Sequence, residues 1–243
     1  MNKFYNFYNE NETKELYLYG AIVSDKWDET DVNFSDFKNA LDEIKDNETL
    51  NIYVNSPGGE VFVTDSIIAM LDRCKKKKNI TINCYIDGLG ASCASWLPMV
   101  ADSIYIYSQS VLMLHKPMSM VWGNASEMKK EIEVLDKIEN SMIKMYLAKA
   151  KDEVTEEQIR NMLSEETWLS ANEIQEYFNV ELIESEKKIA ACIDKDIFKN
   201  YKNVPDSLQV KEEPEKENVI DNEKLQEVEN KIKDLEVYLE LNR

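Results

Sequence analysis

An α/β fold is the class this sequence predicts, and three observations carry the prediction. Apolar and polar residues alternate in short β-rich runs, stretches of helical periodicity separate those runs, and a Pro-Gly-Gly turn sits where one of them ends. Strand and helix in alternation argue for an α/β domain with crossover connections.

From the N-terminus, "ELYLYGAIV", Glu15 to Val23, alternates as a first strand, and an acidic loop leads from it to the amphipathic helix pattern "FSDFKNALDEIK", Phe34 to Lys45. A second strand, "TLNIYVNS", meets Pro57, Gly58 and Gly59; "EVFVTDSIIAMLDRC" has helical periodicity, and "NITINCYID" returns to strand. The stretch "DGLGASCASW", Asp87 to Trp96, then leads through a short helix to two β-rich runs, "SIYIYS" and "VLMLH". A long helix is expected from Asn124 to about Lys151, with Met128, Ile132, Leu135, Ile138, Met142 and Met145 near one stripe. Capping arrangements start helices at Asn124 with Glu127, Thr155 with Gln158 and Ser170 with Glu173, and "VELIES" is the last strand.

The domain so defined spans residues 1–202. Residues 203–220 have the composition of an acidic linker, with Pro205 and Pro214 and few apolar side chains. In residues 221–243, Leu225, Val228, Ile232, Leu235 and Leu239 recur at steps of three and four, as in a coiled coil. Three heptads alone make a marginal helix, so this tail needs a partner or further chain, and a frayed amphipathic helix is an equal reading.

Composition excludes several functions. A net charge of −18 argues against a nucleic-acid partner, which needs a concentrated basic face. The one basic block, "RCKKKK" from Arg73 to Lys78, reads as a helix C-terminus, where cations favour the dipole. Cys74, Cys84, Cys93 and Cys192 show no metal-ligand or disulfide spacing, so no metal, no cofactor and a reducing compartment are expected. "MNKFYNFYNENETK" lacks the basic and apolar regions of a leader, and no run is apolar enough to span a bilayer, so a cytoplasmic protein is expected.

Chemistry concentrates in three places. "GASCA", Gly90 to Ala94, is one glycine short of a GxSxG nucleophile elbow, which makes Ser92 a candidate nucleophile with the following helix start aimed at an oxyanion. Alone, the motif is better read as small-residue helix packing. The chain has one histidine, however, so any Ser-His mechanism must use His115, which stands at a strand end where a loop begins. "NSPGGEV" supplies a Gly-rich strand-to-helix turn, and the backbone N–H groups of Gly59 and Cys93 are candidate oxyanion donors.

Taken together, "NSPGG" at Asn55–Gly59, "GLGASCAS" at Gly88–Ser95, "LMLHKP" at Leu112–Pro117 and "ETWLSANEIQEYFNVELI" at Glu166–Ile183 resemble, in order and separation, the ClpP-like serine proteases, the Clp protease proteolytic subunits. The resemblance covers about Leu16 to Ser185 and implies the ClpP/crotonase-like fold, a repeated ββα superhelix with a long handle helix that packs between subunits of a homo-oligomeric ring. It implies Ser92 as nucleophile, His115 as general base, Gly59 and Cys93 as oxyanion donors, and Ser95 as a packing residue. The family's third residue is usually an Asp two positions before an aromatic; here the aromatic is Trp168 and the matching residue is Glu166, with Glu165 and Thr167 as rivals.

The strand, acidic loop and helix in "ELYLYGAIVSDKWDETDVNFSDF", and "ETWLSA", are most similar to the phage head maturation (prohead) protease branch. That branch implies protein or peptide substrates, capsid or scaffold partners reached through the C-terminal coil, and action within assembling procapsids. An ATP-dependent Clp peptidase served by an unfoldase, a catalytically weak scaffold module and a crotonase-type acyl-CoA enzyme are the alternatives. The order Ser92, His115, Glu166 disfavours an α/β-hydrolase, whose acid precedes its histidine.

Overall fold

A computed structural model of the chain describes residues 7–10, 13–25, 33–184 and 201–205, all within one compact unit, Met1–Leu208. The expected linker beyond residue 205, the expected helical tail over 221–243, most of the acidic loop and Cys192 lie outside the described residues.

The described strands form one mixed, mainly parallel sheet. Its path runs β1 (Phe7–Glu10), β2 (Thr13–Tyr19), β3 (Thr49–Ser56), β4 (Thr81–Ala91), β5 (Ser103–Tyr107), β8 (Glu181–Ile183), and off it β6 (Val111–Leu114) pairs with β4 while β7 (Thr167–Ser170) pairs with β6. Only β1–β2 and β6–β7 are antiparallel. The parallel pairs need crossovers, supplied by α1 (Phe34–Asp42) between β2 and β3 and α2 (Val61–Lys78) between β3 and β4.

Period-two alternation sorts the sheet faces. Leu16, Leu18, Leu50, Ile52, Val54, Ile82, Cys84, Ile86, Ile104 and Ile106 are buried and share one core with Phe37 and Leu41 of α1 and Ile67 and Leu71 of α2. On the opposite face the register sets Tyr17, Tyr53, Tyr85 and Tyr105 in a row across β2 to β5, stacked with centroids 4.6, 5.0 and 4.7 Å apart. A one-residue slip of any of these strands would exchange a tyrosine for a core aliphatic, so the pattern fixes the register.

The basic block closes α2 as expected: Lys75 to Lys78 form its last turn and Asn79 caps it in the left-handed conformation. Lys78 Nζ also donates to the Leu41 and Ile44 carbonyls, satisfying acceptors at the end of α1. α3 (Ala125–Leu147), α4 (Glu156–Glu165) and α5 (Ala171–Tyr177) begin at the three capping boxes read from the sequence. Only the C-terminal part of α3 is packed. Met142, Ile143 and Tyr146 are buried, whereas Met128 and Ile132 are exposed, as are Met120 and Trp122 in the preceding loop. Among the described residues no helix is long and apolar enough to cross a membrane.

β4 is the strand that positions Ser92. Its first half pairs with β5 over Asn83–Ile86 and its second half with β6 over Leu89–Ala91, so it changes partner at Asp87 and Gly88. The sequence pattern ends this strand at Asp87; in the structure it continues through Gly88, Leu89 and Gly90 to Ala91. Ser92 therefore follows the last residue of the longest strand described.

Candidate active site

The turn after β3 is fastened on both sides. Ser56 Oγ donates to the Gly20 carbonyl at 2.6 Å and accepts the Gly58 N–H at 3.1 Å, while Asn55 Oδ1 accepts the Leu89 N–H of β4 at 3.0 Å. Gly58 has φ 92° and Gly59 φ 153°. A Cβ on Gly58 would lie 2.7 Å from both the Ala91 carbonyl oxygen and Ser92 Cβ, and one on Gly59 would lie 2.0 Å from the Ile22 carbonyl oxygen. Glycine is thus required twice, for backbone conformation and for close approach to Ser92.

Ser92 has φ 55°, rare for a residue with a Cβ, and opens the 3₁₀ turn Ser92–Trp96. A single residue in this conformation costs on the order of 1–3 kcal/mol, which the surrounding packing must offset. Part of that support is visible: Ser95 Oγ donates to the Ser92 carbonyl at 2.5 Å and is 2.6 Å from the Tyr146 hydroxyl. Ser95 is fully buried and engaged on two sides. The helix expected after Ser92 is two short 3₁₀ turns, ended by the Pro98 segment.

β6 runs beside the end of β4 with Ala91 opposite Met113. The residues just beyond each strand are consequently neighbours, and His115 Nε2 lies 2.7 Å from Ser92 Oγ. Burial lowers the imidazole's pKa below its ordinary value, and the Glu166 carboxylate opposes that shift. The ring is neutral near pH 7 and can accept a proton.

Glu166 ends α4 in the left-handed region (φ 51°, ψ 71°) and precedes β7, whose Thr167 pairs with Leu114. Its influence on His115 is electrostatic; among the described residues no hydrogen bond joins the two. Glu166 Oε1 instead accepts the backbone N–H groups of Lys202 and Asn203, each at 2.7 Å. Of the rivals, Thr167 Oγ1 donates to the Met162 carbonyl at 2.9 Å, and Glu165 offers its carbonyl to Asn203 Nδ2 at 2.7 Å.

The Cys93 thiol is buried against Thr64, whose hydroxyl donates to the sulfur at 3.1 Å. Burial pushes its pKa up, and the Thr64 hydroxyl and the Gly59 and Cys93 N–H groups act against that rise. A thiol kept protonated is a poor nucleophile. The Gly59 and Cys93 N–H groups thus lie around the Cys93 sulfur, and it is Gly58 that lies against Ser92 and the Cys93 nitrogen.

Two residues of the site escape sequence reasoning. Gly58 reads only as part of the turn, yet it touches Ser92; the doubled glycine is the available signal. Tyr201 reads as the end of the domain, but its hydroxyl donates to the Pro57 carbonyl and its ring stands edge-on to His115 and Trp168. An isolated aromatic in a polar segment carries no spacing signal.

Residues 28–198 match the Clp protease family, the stretch that contains Ser92, His115 and Glu166. An ATP-dependent Clp protease proteolytic subunit 1 from Salinibacter ruber is 31% identical over 150 residues, covering 59% of this chain. The match spans 60% of that curated relative's length. With a parallel-rich α/β sheet and a family match that extends over more than half of its length, the chain belongs to the Clp protease family.

Proposed function

We propose that this protein is a serine endopeptidase of the ClpP type, built on the family's ββα superhelix. The observation that carries the reading is the 2.7 Å contact of a neutral, buried His115 with Ser92. Ser92 Oγ attacks the scissile carbonyl and its proton passes to His115 Nε2. The oxyanion that forms takes hydrogen bonds from the N–H groups of Gly59 and Cys93. On collapse the C–N bond breaks, the amine leaves with the proton from His115, and water releases the acyl group from Ser92 by the reverse sequence. Glu166 stabilises the transient imidazolium, the sense in which its charge already acts on His115.

Incubating the full chain with a fluorophosphonate tests the assignment: one label per chain on Ser92 is expected, and none on Ser92→Ala. Absence of label from the wild type and from a Tyr201→Ala variant alike would exclude it. The pH profile tests Glu166 separately. Because His115 must be neutral and burial lowers its pKa, kcat/KM is expected to fall only as pH drops below the ordinary histidine range. Removing the charge with Glu166→Gln takes away the contribution that raises this pKa, so the acid limb should move to still lower pH. An unmoved limb would remove Glu166 from the mechanism.

Within this class we assign the protein to head maturation, with capsid or scaffold proteins and its own chain as substrates. The acidic composition of residues 203–220 and the heptad apolar residues of 221–243 support a protease joined to a scaffold-like segment. The exposed apolar side chains of Met118, Met120, Trp122, Met128 and Ile132 suit burial between subunits of a ring. An ATP-dependent peptidase subunit is the second reading, favoured by the name of the Salinibacter relative. Degradation of a folded protein only with an ATP-fuelled unfoldase present would select it.

A further inference from the structure

We propose that residues 201–203 form a strap that seats Tyr201 over Ser92 and His115 and keeps substrate out until it is displaced; this rests on the peptidase reading above. Tyr201 lies beyond the residues 28–198 that match the family. Its ring stands edge-on to His115, with centroids 5.6 Å apart, and edge-on to Trp168 at 5.7 Å. It packs on the small apolar cluster of Leu89, Ala91 and Met113, which is separate from the main core and lies on the strands that deliver Ser92 and His115. The hydroxyl donates to the Pro57 carbonyl, at the turn that holds Gly58 and Gly59, and also interacts with the Ser92 side chain.

The backbone beyond Tyr201 is tied down as well. Lys202 and Asn203 both give their N–H groups to Glu166 Oε1 at 2.7 Å, and Asn203 Nδ2 donates to the Glu165 carbonyl at 2.7 Å. Bonds from N–H to a carboxylate are among the stronger ones available to a backbone. The strap therefore holds the group that acts on His115 while its aromatic ring stands edge-on to the imidazole.

A scissile carbonyl must come within about 3–3.5 Å of Ser92 Oγ in an attack geometry. Tyr201 stands edge-on to His115 and is held by Pro57 and by the residues that precede Ser92 and His115, so substrate and strap compete for the same face. When only a fraction of molecules is open, apparent affinity falls by that fraction. The occupant belongs to the same chain, so dilution does not relieve the block, whereas cleavage of the chain near the strap or a competing ligand does.

The test compares the rate of fluorophosphonate labelling of the full-length chain with that of Tyr201→Ala, Tyr201→Phe and Asn203→Pro, which lacks one donor to Glu166. Labelling is expected to accelerate by about tenfold or more in Tyr201→Ala, and to a smaller extent in the other two, with unchanged circular dichroism. Hydrogen exchange at the Lys202 and Asn203 amides of the wild type should be slow before labelling and faster once the phosphonyl group occupies Ser92. Variants that label at the wild-type rate or slower, or amides whose exchange ignores labelling, overturn the strap and leave the peptidase intact. Absence of label from every chain, wild type included, removes the peptidase and the strap with it.

Discussion

Ser92→Ala and His115→Ala are each expected to lower peptide hydrolysis by about four orders of magnitude or more, and the double variant to be no slower than the slower single. The reason is geometric. A serine hydroxyl is a weak nucleophile at its own pKa, and the only imidazole in the chain lies 2.7 Å from this one. Once either member is gone, the other has no proton to give or take, so the second deletion removes nothing further. Residual activity would come from the backbone donors and from substrate positioning. Single-turnover rates for the three variants decide the matter: losses that multiply would show that the two residues act independently, and a base other than His115 would have to be found.

Gly58→Ala is expected to destabilise the fold by about 2–4 kcal/mol and to cut the rate by about 100-fold or more in the molecules that remain folded. At φ 92° an alanine is strained in any surroundings, and here its methyl would also lie 2.7 Å from the Ala91 carbonyl oxygen and 2.7 Å from Ser92 Cβ. Neither atom belongs to a flexible side-chain end, so relief must come from moving the turn or Ser92 itself. A displacement near 1 Å is enough to spoil attack geometry. Gly90→Ala is the control, since its methyl's one tight contact is the Leu112 Cδ1 atom at 3.1 Å, the end of a flexible side chain. Denaturant unfolding and kcat measured side by side should separate the pair, and equal effects would mean that the contact with Ser92 is unimportant.

Much of the fold is legible in the sequence because the period-two pattern is strong where one face of a strand is buried. β3 coincides with its sequence prediction at Thr49–Ser56, and the tyrosine row across β2 to β5 is the same alternation seen from the other side. Legibility fails where local composition and tertiary pairing disagree. The sequence pattern ends β4 at Asp87, but β6 supplies the partner that extends it through Gly88 and Gly90. β7 reads only as part of a motif because four residues, "TWLS", are too short for periodicity to register. In the candidate site, the pair Ser92 and His115 emerges from one motif and one residue count, whereas the left-handed backbone of Ser92 and Glu166 has no signature in side-chain identity. Tyr201 reaches the site from far along the chain beyond His115, a separation no window of sequence covers.

The change of partner along β4 also sets an order of assembly during synthesis. The strand that presents Ser92 is finished at Ala91 and meets β3 at Gly90, but the other edge of its second half has no partner strand until Val111–Leu114 has emerged, and the same arrival brings His115. Glu166 and β7 come later still. A growing chain therefore carries the serine for some time with nothing to take its proton, and the long-range pairings that complete the site are slow to form. On the proposed peptidase reading, cutting power is withheld from the nascent polypeptide by the order in which its own strands are delivered.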